Sequence, residues 1–244
     1  MEHICFIHSL IQGKYVLFLE PENVLGKSVL EKLYKSSEKK GSEVTLFSGH
    51  KYTTVIKKAK KLPKSVKKNK KNNPISDSAN VLSKISMELW TKMFRRQYLE
   101  RECLLSEKYL HNSLLLGVLS ISLSSKIDIV ESAKSYYYIS KNQENFTEED
   151  VSKFYDVLYD IFDELKERGV DQNIQEAFCT IVIDECMAAF RRIKKTSART
   201  MFLKELSSQK FSELGIFLDK SEDDKRKNNS GEYNSLEGLR KGYL

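Results

Sequence analysis

The chain reads as a mainly α protein, in which a small N-terminal α/β module is joined by a basic disordered linker to a helical-bundle domain. Three observations predict this. Glycine and proline are sparse, at 10 and 3 in 244 residues, a composition poor in tight turns and suited to helices. Apolar residues recur at helical spacing along most of the chain after Val81. Between Lys57 and Lys71, nine lysines stand in fifteen residues with no acid among them, which sets two folding segments apart.

Residues 1–56 form the expected α/β module. Met1 to Ile11 is apolar, but Glu2 stands where a secretory leader carries positive charge and no small-residue cleavage site follows, so the stretch reads as a strand. Tyr15 to Leu19, Val44 to Phe47 and Tyr52 to Ile56 are strand-like runs. Between the first two, Val24, Val29, Leu30 and Leu33 recur at helical spacing and Gly41 supplies a stop. In residues 57–80 apolar residues thin out and Pro63 and Pro74 break any helix, so the segment cannot bury enough surface to offset its conformational entropy.

The helical domain is expected over residues 81–218. Leu82, Ile85, Leu89 and Met93 form one stripe with Trp90, Phe94 and Tyr98 beside it, predicting a long amphipathic helix to about His111. Asn112 to Asn142 fits helices or, at Ile127 to Val130, a strand. Within it Leu114 to Leu123 falls far short of the ~20 apolar residues a bilayer span needs. Thr147 with Asp150 predicts a capped helix start, Phe146 and Val151 a hydrophobic staple, and Gly169 the stop. Asp171 caps the next helix, which is apolar on more than one side and central in a bundle. Shorter helices follow around Arg199 to Leu206 and Phe211 to Leu218, and residues 219–244 read as a disordered charged tail.

Removing the lysine run from the net charge of +7 leaves about −2, so the basicity is concentrated in one segment. Lys57, Lys58, Lys60 and Lys61, then Lys64, then Lys67, Lys68, Lys70 and Lys71, resemble a bipartite nuclear import signal. The same charges would attract phosphate by counterion release. A second basic cluster, Arg191, Arg192, Lys194, Lys195 and Arg199, ends the predicted central helix. The helix dipole accounts for it, and its arginines also make it a candidate phosphate contact. Tyr136, Tyr137 and Tyr138 invite base stacking, yet consecutive residues point in different directions, so core packing is the better account.

No catalytic, cofactor or metal site is legible. Gly26-Lys27-Ser28 after a strand resembles a P-loop, but Pro21 occupies the position of the earlier glycine and Glu20 and Glu22 would repel a phosphate. Cys5, Cys103, Cys179 and Cys186 have no metal-ligand spacing and read as reduced thiols. The histidines make no H-E-x-x-H pattern. The reading is therefore a non-enzymatic nuclear factor, shuttling with the cytoplasm, that meets an import receptor and a nucleic acid or nucleoprotein complex and uses its helical domain for protein partners. The alternative is a cytoplasmic adaptor or viral accessory protein whose lysine strip meets an anionic membrane surface or an acidic protein.

Overall fold

The computed structural model describes residues 11–52, 77–85, 87–138, 146–218 and 239–241, which fall into two compact units, Met1–Lys141 and Asn142–Leu244. Residues 1–10, most of the lysine linker and residues 219–238 lie outside the described residues.

The first unit is built on a sheet. Its strands are β1 (Tyr15–Leu17), β2 (Asn23–Leu25), β3 (Val44–Tyr52), β4 (Lys92–Arg95) and β5 (Ile127–Tyr138), in the spatial order β1-β4-β3-β5-β2. β3 and β5 are parallel, and every other pair is antiparallel. The helices are α1 (Val29–Lys40), α2 (Ser78–Leu82), α3 (Arg96–Arg101), α4 (Glu107–Leu110) and α5 (Ser113–Ser122), with a 3-10 turn at Leu89–Thr91. The fold class is therefore α/β with a curled mixed sheet, which corrects the expectation of a mainly α protein.

The correction has a physical cause. The stretch from Val81 to His111, expected as one helix, holds a short helix, a 3-10 turn, a strand and two more short helices. Met93 pairs with Leu17 on one side and Thr45 on the other, and Phe94 pairs with Val16 and Val44. Two flanking strands satisfy this backbone, and that non-local pairing overrides a local spacing compatible with helix. Asn112 to Asn142 resolves into both of its alternatives, helix α5 and strand β5.

Other expectations hold. Helix α1 ends at Gly41, whose φ of 63° is the left-handed conformation that glycine adopts without strain. Its Val29 and Leu33 pack on Phe47, Met93 and Ala133 of the sheet. Val24, assigned to this helix by its spacing, sits in β2 instead. Helix α5 is buried from Leu115 to Ser122.

Edge strands β1 and β2 are joined only by residues 18–22. Four interstrand steps in a flat sheet span about 19 Å, close to the full extension of that connection. A turn shortens it, since the Asn23 amide donates to the Glu20 carbonyl at 2.9 Å. The curl of the sheet brings its two edges within reach of so short a link. The register between β3 and β5 also shifts between Phe47 and Ser48, where β5 carries the extra residues 131–133.

The second unit is helical: α6 (Glu148–Glu167), α7 (Gln172–Arg192), α8 (Thr196–Leu206) and α9 (Gln209–Ser212), with a two-stranded ribbon of β6 (Ile216–Leu218) and β7 (Leu239–Lys241). Strand β7 lies in the segment expected as a disordered tail. Thr147 and Asp150 form a reciprocal capping box on α6, as their spacing predicts. Tyr155, Phe202 and Phe211 are buried together, and the Tyr155 hydroxyl donates to the Phe202 carbonyl at 2.9 Å. Cys186 is buried beside them, and burial pushes its thiol far above the ordinary range.

Candidate functional site

Because β1 and β3 are both antiparallel to β4, and β5 is parallel to β3, strands β1, β3 and β5 all run the same way. Their carboxyl ends share one edge of the sheet, the place where open α/β sheets take their ligands. The chemistry of the first unit gathers there. Glu20 and Glu22 leave the end of β1, His50 ends β3, and Tyr136 and Tyr137 end β5. The turn before β4 adds Glu88, Trp90 and, at its last position, Lys92.

The turn that carries the acids is fixed by its own backbone and by β5. The Glu20 amide donates to Asn23 Oδ1 at 2.7 Å, and the Tyr138 amide donates to the Glu22 carbonyl at 3.1 Å. Glu20 and Glu22 are exposed, flanked by the exposed apolar side chains of Leu19 and Val24. The Tyr137 hydroxyl donates to the Glu20 carboxylate. Burial first, then Glu20, with Glu22 and Glu88 behind it, raises the Tyr137 phenol above its ordinary value. Asn23 Nδ2 is buried with no hydrogen-bond partner among the described residues, leaving a donor aimed at nothing.

Beneath Tyr137 lies Trp90, the only tryptophan in the chain, stacked on it at 5.6 Å between ring centroids and 20° between planes. Gly49 makes room for that indole, since a Cβ there would stand 2.7 Å from the Trp90 ring and 2.6 Å from Thr91 Cγ2. Ser135 Oγ donates to the Trp90 carbonyl at 3.4 Å. Tyr136 stacks on His50 at 5.4 Å, so adjacent tyrosines serve different partners, as the geometry of consecutive residues requires. Lys92 is fully buried, and its ammonium donates to the Glu88 carbonyl at 2.7 Å. Burial pushes that ammonium down to about 7, against the opposing pull of the Glu88 carboxylate.

The residues singled out in the sequence lie elsewhere. Lys57, Lys58, Lys60, Lys61, Lys64, Lys67, Lys68, Lys70 and Lys71 fall outside the described residues. Arg191, Arg192, Lys194 and Lys195 are exposed at the end of α7 and the start of α8. Arg192 lies over the Phe146 ring at 5.3 Å, and Arg199 donates from Nε to the Ile193 carbonyl at 3.1 Å. Both arginines thus have packing and backbone roles at the helix junction. Sequence reasoning misses this site because its members are scattered over elements far apart in the chain, from Glu20 to Tyr137. The one local signal is the Glu20-Pro21-Glu22-Asn23 turn following a strand, whose acids read in the sequence only as an obstacle to a phosphate loop.

No known protein-family profile matches the chain, and no curated protein matches it. Solved structures do. S. aureus TarS 1–349 in complex with UDP-GlcNAc is similar to this chain with a TM-score of 0.59 at 16% identity, over 82% of this chain and 57% of that one. TarS 1–349 without that ligand has the same TM-score and identity over 84% and 57%. The longer S. aureus TarS structure gives a TM-score of 0.54 at 15% identity over 88% and 36%. The chain shares the GT-A-like α/β fold of these structures and spans little more than half the length of TarS 1–349. This fold likeness overturns the reading of a non-enzymatic nuclear, nucleic-acid-associated helical bundle, together with its adaptor alternative. Among the described residues no helix is long and apolar enough to cross a membrane.

Proposed function

We propose that the chain is part of a glycosyltransferase that uses a nucleoside diphosphate sugar, with Glu20, Glu22, Asn23, Glu88 and Tyr137 forming one wall of its site. The observation that carries this reading is the fold shared with a structure holding UDP-GlcNAc. The clustering of carboxylates at the carboxyl edge of the sheet supports it.

Transfer of a sugar requires an acceptor oxygen to attack the anomeric carbon while the bond to the diphosphate breaks and takes its electron pair with it. The acceptor proton must pass to a base, and Glu22, an exposed carboxylate, can receive it. Glu20 is held in place by the Tyr137 hydroxyl. Asn23 Nδ2 offers a neutral donor to a sugar or phosphate oxygen. Carboxylates repel a diphosphate unless a cation lies between them. No group of three or more His, Cys, Asp or Glu side chains among the described residues is arranged to hold a metal unaided. Glu20 alone would suit a magnesium ion carried in on the diphosphate, since such an ion needs only one or two protein carboxylates besides the phosphates.

Trp90 supplies the assay. Titrating the protein with UDP-GlcNAc and magnesium should change its intrinsic emission saturably, and Glu20→Gln should weaken binding by about tenfold or more. Absence of saturable binding of UDP-GlcNAc to the folded wild-type protein would reject the proposal.

A further inference from the structure

We infer that Lys92 is a positioning residue for this site: from its buried place at the start of β4 it pins the Glu88–Thr91 turn, and the turn sets Trp90 under Tyr137 and so aims Tyr137 at Glu20. The inference rests on the nucleotide-sugar reading for its consequence in binding, and on geometry alone for the rest.

Three donors converge on one carbonyl. The Glu88 carbonyl accepts from Lys92 Nζ at 2.7 Å, from Thr91 Oγ1 at 2.8 Å and from the Thr91 amide at 3.4 Å. Lys92 makes the shortest of these bonds, so it contributes most to holding the turn closed. Lys92 Nζ also lies 3.5 Å from Thr91 Oγ1, which ties the two side chains that grip the carbonyl. Nothing about a strand start requires lysine. Its neighbours Met93 and Phe94 are apolar core, and an equally buried apolar residue would avoid the cost of desolvating an amine. What lysine adds is a reach of four methylenes and a donor at the end.

The consequence is a chain of contacts from the protein interior to the exposed acids. Lys92 holds the Glu88 carbonyl, the turn presents the Trp90 ring, the ring stacks on Tyr137, and the Tyr137 hydroxyl donates to Glu20. Gly49 lies close against the indole, where a Cβ would stand 2.7 Å from the ring. A turn released at Glu88 lets the indole shift, and the phenol loses its aim.

The test is Lys92→Met, which keeps the volume and removes the donor, beside Lys92→Arg, which keeps a charged donor. Lys92→Met should melt no lower than wild type, yet shift the Trp90 emission. It should also bring the Tyr137 phenol back toward its ordinary value, read by NMR of carbon-13-labelled tyrosine, and weaken UDP-GlcNAc binding about tenfold, as loss of a supporting contact does. Lys92→Arg should restore most of the emission and the affinity. A merely structural lysine would lower the melting temperature and leave the Tyr137 titration alone. Unchanged emission and unchanged Tyr137 titration in folded Lys92→Met overturn the inference. Should that variant not fold, Lys92→Gln is read by the same two signals, which support or overturn the inference in the same way. Because neither signal needs a ligand, failure of the wild type to bind UDP-GlcNAc would sink the proposed function without deciding the role of Lys92.

Discussion

The two units use tyrosine in opposite ways. In the second, Tyr155 donates to a backbone carbonyl inside an aromatic core, and burial raises its phenol far beyond the ordinary range. In the first, Tyr137 is half-buried at a sheet edge and donates to an exposed carboxylate whose like-charged neighbours sit within electrostatic reach. A hydroxyl closed on the backbone serves stability alone. One that ends on a solvent-facing carboxylate fixes a group whose charge is available to a ligand. The contrast predicts that damage to the second unit reads out as stability, and damage to the sheet edge as a change in ligand response.

The largest expected effect is on the closed side. Phe202 is fully buried against Tyr155, Phe154 and Phe190, so Phe202→Ala should cost about 3–5 kcal/mol in denaturant unfolding of the second unit. The Trp90 emission of the native protein should not move. A shift of that emission at native conditions would mean the contrast between the units is wrongly drawn.

On the open side, Gly49→Ala sets a methyl directly against the indole. The new carbon would overlap both the Trp90 ring and Thr91, and overpacking of this kind costs about 1–3 kcal/mol. The emission of Trp90 should change in the same variant, because the indole is what must give way. Normal emission with normal stability would show that the edge is looser than its packing implies.

The contrast also explains what can be read from the sequence. The second unit is legible because its signals are local: Thr147 with Asp150, Gly169, and Asp171, whose side chain accepts from the Asn173 amide, sit within one or two turns of the helices they bound. The sheet edge is not. Strand β4 is four residues long, its pairing partners lie about fifty and eighty positions away in sequence, and Leu89, Trp90 and Met93 mimic a helix stripe. Glu20 and Glu22 stand out in the sequence only as repulsion of a phosphate, since the tyrosine that orients one of them stands more than a hundred residues on. The lysine run, the loudest feature of the sequence, lies outside the described residues.

A smaller effect is a pH dependence of stability. The unfolded chain keeps the Lys92 ammonium protonated up to about 10.4, whereas burial lowers it to about 7 in the fold. Between these values the unfolded state binds more protons, so the penalty of the buried charge is full below about pH 7 and is relieved as pH rises toward 10. Wild type should therefore gain stability relative to Lys92→Met across that range. Parallel curves for the two proteins would mean that Lys92 keeps an ordinary affinity for its proton.

The smallest expected effect on stability separates the two tyrosines most cleanly. Tyr155→Phe removes the donor to the buried Phe202 carbonyl, an unmade bond that costs about 1–3 kcal/mol, and it should leave any UDP-GlcNAc response intact. Tyr137→Phe keeps the ring stacked on Trp90 and removes only the hydroxyl, and Glu20, being exposed, regains its hydrogen bond from water. Its cost in unfolding should be no more than about 0.5 kcal/mol. What it should lose is the fixed aim of Glu20, seen as a weaker saturable change in Trp90 emission on adding UDP-GlcNAc with magnesium. The two single-atom deletions thus make opposite demands: one moves the unfolding midpoint and not the ligand response, the other the ligand response and not the midpoint. Tyr137→Phe with an unaltered ligand response would leave Glu20 positioned by its own turn, through Asn23 and the strand, and would remove the phenol from the site.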